Sequence, residues 1–220
     1  MGKLFFIMLA SVALCGCTSK SELSVGGGGY EILLPLDYTP SRAYPLLFCL
    51  SPVGDGRGYL NSIGDLSRDP GWIIAASNKY KNGLPNQQFV PDVENAISDI
   101  SVKYNVSMDR IYLCGFSGGG MAAYVSAYMR PGFYAGVISN NGFIHSYIDN
   151  SNEFRKAKLK KAVIIAGERD TTVPLDRLLT EDLIVLEGSG VKAKLITFDG
   201  GHEIAPVDKY REALLWLSSS

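Results

Sequence analysis

The stretch Arg110–Met121 reads Arg-Ile-Tyr-Leu-Cys-Gly-Phe-Ser-Gly-Gly-Gly-Met, a short apolar run that ends in a serine framed by glycines. Gly115 to Gly119 spell G-x-S-x-G. The bare pattern carries little, because Gly and Ser are common here; its position between a buried strand and a helix gives it meaning. A sharp strand-to-helix turn would hold Ser117 in a strained backbone conformation, and a Cβ two residues away on either side would crowd it. The turn also aims a helix start at the serine, where N–H groups and the helix dipole favour developing negative charge.

Outward from this elbow, short β-like runs alternate with segments of helical period from residue 30 onward, the signature of a mostly parallel sheet with helices on both faces. The spacing predicts strands at Tyr30–Leu34, Pro45–Leu50, Trp72–Ala76, Arg110–Cys114, Ala135–Ser139, Lys161–Ala166 and Lys192–Phe198. It predicts helices from Pro91 to about Tyr104, where proline opens the first turn, and over Gly118–Met129, Leu175–Gly188 and Val207–Leu217. The interval 141–160 is too short for a large cap domain, which leaves the site open. The basic run Arg155–Lys161 alternates with Ala and Leu and reads as a solvated helix face rather than a phosphate site.

A serine hydroxyl is a poor nucleophile at neutral pH, so it needs a base and a group that orients the base. The chain has two histidines. His202 lies beyond the last strand, in Phe-Asp-Gly-Gly-His, where paired glycines permit a tight loop. His145 precedes every candidate acid, and a serine elbow is followed in chain order by acid and then histidine, so only His202 fits. His145 is left to a loop or substrate-contact role. The acid is expected just after Lys161–Ala166, in Gly167-Glu-Arg-Asp-Thr-Thr-Val-Pro174, with Asp170 chosen over Glu168 and Asp199.

With 220 residues the chain has room for one ordinary domain, and its formal net charge of −1 implies no general attraction to nucleic acid or anionic lipid. Residues 1–16 combine Lys3 with the apolar run Leu4–Leu14, an export signal too short to span a bilayer comfortably. Leu14-Cys-Gly-Cys17 resembles the bacterial lipobox, which would make Cys17 the lipid attachment point of an exported, membrane-anchored protein. The alternative is an ordinary cleaved signal with an incidental cysteine. Residues 17–29, rich in Ser and Gly, read as a flexible tether, and residues 30–220 as the catalytic domain. Cys49 and Cys114 fall in apolar runs and read as core residues, with no disulfide framework and no metal-ligand spacing.

The Gly-Phe-Ser-Gly-Gly-Gly elbow, the Gly-Glu-Arg-Asp-Thr-Thr-Val-Pro loop and the Gly-Gly-His loop, in that order, resemble the α/β-hydrolase superfamily. The nearest resemblance is to its small carboxylesterase, feruloyl esterase and polyhydroxybutyrate depolymerase-like group. The resemblance covers nearly the whole chain after the tether. It implies a serine esterase working through an acyl-serine intermediate, with Ser117, Asp170 and His202 as its triad and no cofactor or metal. Substrates would be small or polysaccharide-linked esters. A serine peptidase of prolyl oligopeptidase type shares the fold and triad order, and a surface binding protein that kept only the fold is the remaining alternative. The family usually carries His-Gly after its early strand, whereas Leu50 here leads into Ser51-Pro-Val-Gly54. Proline has no N–H, so the oxyanion donors are expected to be the backbone N–H groups of Val53 and Gly118, with Ser51 a loop cap or a third donor.

Overall fold

The computed structural model describes residues 24–26, 29–63, 66 and 71–219. The expected signal segment and Cys17 lie outside the described residues. Among the described residues eight strands form one sheet: β1 (Ser24–Gly26), β2 (Tyr30–Leu33), β3 (Tyr44–Leu50), β4 (Ile73–Ser77), β5 (Val106–Phe116), β6 (Gly136–Asn140), β7 (Lys161–Gly167) and β8 (Lys192–Phe198). Their order across the sheet is β1-β2-β4-β3-β5-β6-β7-β8, with β1/β2 and β2/β4 antiparallel and every later pair parallel. The central strands are apolar on successive residues because both faces are covered, so β3 is buried along its whole length.

Helices α2 (Asn86–Lys103) and α3 (Gly118–Met129) cover one face, and α1 (Gly56–Ile63) and α7 (Val207–Ser218) cover the other. Between β6 and β7 lie only α4 (Ser151–Phe154) and one 3₁₀ turn, so the α/β-hydrolase layout stands without a large cap. Cys49 and Cys114 are free thiols buried on the α1/α7 side. Among the described residues no helix is long and apolar enough to cross a membrane.

The structure departs from the sequence reading in several places. Pro91 does not open α2; it lies inside a helix that starts at Asn86. A proline there forfeits the bond to the Gln87 carbonyl, a loss of about 3 kcal/mol, and burial of Phe89 and Val90 immediately before it offsets the loss. The helix expected over Leu175–Gly188 is present over those bounds but widens in its middle, running as α5 (Leu175–Arg177), a π turn at Leu178–Asp182 and α6 (Leu183–Gly188). That turn buries Asp182, whose carboxylate accepts the Ile144 N–H at 2.9 Å, and burial pushes its pKa up to about 7. The basic run is no helix face: it passes through Lys158 in the left-handed region into β7, with Ala157 and Leu159 buried between exposed cations. Part of the expected tether, Ser24–Gly26, is a strand, because the outer edge of β2 offers unpaired backbone groups that this segment satisfies. The short α1 escaped the sequence reading; Asp55 begins it by accepting the Gly58 N–H at 2.8 Å, and Tyr59, Leu60 and Ile63 bury its inner stripe.

Candidate active site

Ser117 stands at the end of β5 with φ 52° and ψ −124°, a left-handed conformation that costs an L-residue about 1–3 kcal/mol. Its neighbours fix it there. The Ser117 N–H donates to the Asn140 carbonyl at 2.8 Å, and its own carbonyl accepts the Gly120 and Met121 N–H groups as α3 begins. The flanking glycines are demanded by space: a Cβ on Gly115 would lie 2.1 Å from the Gly119 backbone, and one on Gly119 would lie 2.0 Å from the Leu50 carbonyl oxygen.

His202 Nε2 lies 2.8 Å from Ser117 Oγ, and its Nδ1 lies 2.7 Å from Asp170 Oδ2. A buried carboxylate only accepts, so Nδ1 carries the ring proton and Nε2 is left to accept from the serine hydroxyl. The Asp170 side chain is fully shielded, and its other oxygen takes the Thr172 and Val173 N–H groups at 2.7 and 2.9 Å. The two rival acids point elsewhere. Glu168 accepts from the Thr197 hydroxyl, and Asp199 pairs with Arg169 at the surface.

Asn141, at φ 47°, was not anticipated from the sequence. Its Oδ1 accepts the Gly167 N–H at 2.8 Å, where the acid loop begins, and its Nδ2 donates to the Gly201 carbonyl at 2.8 Å, beside His202. Asn140 does the same one step further out, accepting from the Ala205 N–H and the Tyr210 hydroxyl, both at 2.8 Å. Both asparagines are fully buried at the end of β6. Paired amides ending an apolar strand were the available signal, since buried polar groups are retained only where they find partners.

In the turn after β3, Val53 is three-quarters exposed and its N–H points at Ser51 Oγ across 3.5 Å, too long for more than a weak bond. The Ser51 carbonyl accepts the Gly54 N–H at 3.3 Å, so Ser51 shapes a tight turn. Ser51→Ala is therefore expected to lower turnover on an activated ester by less than about tenfold, against about a hundredfold or more for a true oxyanion donor. A hundredfold loss in a protein with native circular dichroism would make Ser51 the donor. Beside Gly118 opens a cavity of about 260 Å³, walled by Leu84, Phe89, Met121 and Val125, with Tyr80, Asn82 and His145 among its polar lining. His145, of undecided role in the sequence, thus lies by the cavity with its ring 4.4 Å from that of Tyr147.

The profile of the phospholipase/carboxylesterase family matches residues 80–207, more than half of the chain. The chain belongs to this family of α/β hydrolases. Esterase PE8 is a structural neighbour of this carboxylesterase-family chain, with TM-score 0.66 and 21% identity over 84% of this chain and 95% of its own. A truncated carbohydrate esterase from gut microbiota aligns with TM-score 0.64 and 16% identity, over 87% of this chain and 91% of that one. Dipeptidyl peptidase 4 of Porphyromonas gingivalis aligns with TM-score 0.63 and 16% identity over 86% of this chain, which spans 33% of that longer protein. No curated protein sequence matches the chain.

Proposed function

We propose that this member of the carboxylesterase family is a serine esterase that cleaves carboxylic esters through an acyl intermediate on Ser117. The observation that carries this reading is the unbroken line from Asp170 through His202 to Ser117, at 2.7 and 2.8 Å, on a strained elbow. In that reading Ser117 Oγ attacks the ester carbonyl carbon while its proton passes to His202 Nε2. The carbonyl electron pair moves onto oxygen, where the N–H groups of Val53 and Gly118 receive the charge. His202 then protonates the departing alkoxide, and water repeats the sequence to release the acid.

The direction of the two product halves follows from the sheet order. His202 and Asp170 come from loops after β8 and β7, so the alcohol leaves on that side. The cavity lies on the other side of Ser117, against the loop after β4 and the first turns of α3, and is the seat of the acyl group. Its volume of about 260 Å³ and its apolar wall of Leu84, Phe89, Met121 and Val125 suit a small acyl group. Because the alcohol side has no cap over it, a small alcohol or a polysaccharide hydroxyl fits equally, and the likeness to a carbohydrate esterase is in keeping with this.

A fluorophosphonate probe tests the reading: it is expected to label the protein stoichiometrically at Ser117, and a folded protein that resists labelling would make the fold a binding scaffold. Peptide hydrolysis is the second reading, favoured by the likeness to a dipeptidyl peptidase. A panel of ester and peptide substrates separates the two.

We also propose export and lipid anchoring through Cys17, from residues 1–17 alone. Cys17→Ser is expected to give a chain without lipid that leaves the membrane fraction. Unchanged retention rejects the anchor.

A further inference from the structure

The G-x-S-x-G pattern leaves the residue after the serine free, yet this chain has glycine there. A Cβ on Gly118 would lie 2.1 Å from Asn82 Oδ1, 2.7 Å from its Cγ and 2.8 Å from its Nδ2. The Asn82 carboxamide thus fills the space in which a side chain at 118 would stand. It is held there by its own loop. Tyr80 Oη donates to the Gly118 carbonyl at 2.8 Å and lies 3.2 Å from Asn82 Oδ1. Burial pushes the Tyr80 hydroxyl up to about 12, so it keeps its proton at any working pH. Lys81 pairs with Val53 in an antiparallel bridge, and the Asn82 N–H donates to the Pro52 carbonyl at 2.9 Å. Three consecutive residues therefore touch both expected oxyanion donors, Val53 and Gly118.

Asn82 Oδ1 faces Tyr80 Oη at 3.2 Å while the Tyr80 proton goes to the Gly118 carbonyl at 2.8 Å, and among the described residues none accepts from Asn82 Nδ2. The residue is exposed to the cleft and lines the cavity beside Gly118. We propose that Asn82 is a further catalytic residue, whose Nδ2 donates a third hydrogen bond to the substrate oxyanion beside the backbone N–H of Gly118. The assignment rests on ester cleavage through Ser117. No proton is transferred in it: the serine proton goes to His202, and the Asn82 amide only receives the charge that the carbonyl oxygen gains. A side-chain donor on the β4 loop gives this chain, with Ser51-Pro52 before Val53, a polar contact that its oxyanion turn does not supply.

The test compares native protein, Asn82→Ala and Asn82→Asp on p-nitrophenyl acetate, with folding followed by circular dichroism. Removing a donor used only in the transition state is expected to lower kcat about a hundredfold in Asn82→Ala while KM stays within about threefold. Asn82→Asp keeps the shape and loses the donor, placing a negative charge at the oxyanion, so its kcat should fall at least as far. A residue that merely fills space would tolerate this isosteric change. An Asp variant with kcat within about threefold of native overturns the proposal, and it decides the matter even if the Ala variant fails to fold. Fluorophosphonate labelling of the native protein runs in parallel. If native protein is not labelled, the acyl-serine reading fails and Asn82 with it; if it is labelled and the variants keep native kcat, only the Asn82 proposal fails.

Discussion

Ser117→Ala is expected to fold like the native protein and, on the proposed acyl-serine reading, to lose ester hydrolysis by a factor on the order of a million in turnover. Alanine removes only Oγ; Asp170 keeps its two backbone donors and the His202 Nδ1–H, and the Nε2 that loses its partner belongs to a part-exposed ring that water can reach. The strained φ of 52° is imposed by β5, α3 and the Asn140 carbonyl, none of which depends on the hydroxyl. Circular dichroism and thermal unfolding should therefore match the native protein within about 1 kcal/mol. The loss is large because the three side chains act as a unit, so a base without a nucleophile does nothing. Single-turnover measurements on an activated ester, with the variant purified away from host esterases, check the result. Appreciable turnover in that sample would remove Ser117 from the mechanism.

The second large effect is expected of Asp170→Asn, at about four orders of magnitude in turnover. The reason lies in which atoms surround the carboxylate. One oxygen takes two backbone N–H groups, and an amide oriented to keep them must turn its NH₂ toward His202. Nδ1, 2.7 Å away, is then forced to accept, and the ring proton moves to Nε2, where it faces Ser117 Oγ. A protonated Nε2 cannot take the serine proton. Glu168→Gln and Asp199→Asn leave this tautomer alone and should stay within about threefold of native turnover. Steady-state kinetics of the three variants, side by side, test the assignment. Near-native activity of the Asp170 variant, or a larger loss at Glu168 or Asp199, would move the acid.

How much of this was legible beforehand follows from the range of the forces involved. The parallel strands were readable because burial on both faces writes consecutive apolar residues into the chain, as in Tyr44–Leu50. That Ser117, Asp170 and His202 would meet was readable because each lies just beyond the end of a parallel strand, in a loop that carries glycine, and those strand ends share one edge of the sheet. Local rules failed where packing overrode them. Pro91 reads as a helix opener, yet the stripe Phe89, Val90, Val93, Ala96, Ile97 and Ile100 continues on its N-terminal side, and burial of that stripe carries the helix past it. Asn82 and Asn141 were invisible for a different reason. Each acts on backbone far away in sequence, on Gly118 in one case and on Gly167 and Gly201 in the other, and no spacing rule encodes such a partner.

Asn141 also sets what can change in this protein without loss of chemistry. By clasping the first turn of the acid loop and the backbone next to His202 with one carboxamide, it makes two loops from different strands a single mechanical part. Neither can be lengthened, shortened or re-aimed alone, so variation that alters substrate choice is steered away from β7 and β8. The segment after β4 meets the reaction centre through Tyr80 and Asn82 and is free of that clasp. A library aimed at new acyl specificity should leave the end of β6 and Asn82 untouched and randomise Leu84 and Asn86, which line the cavity without touching Ser117, His202 or Asp170.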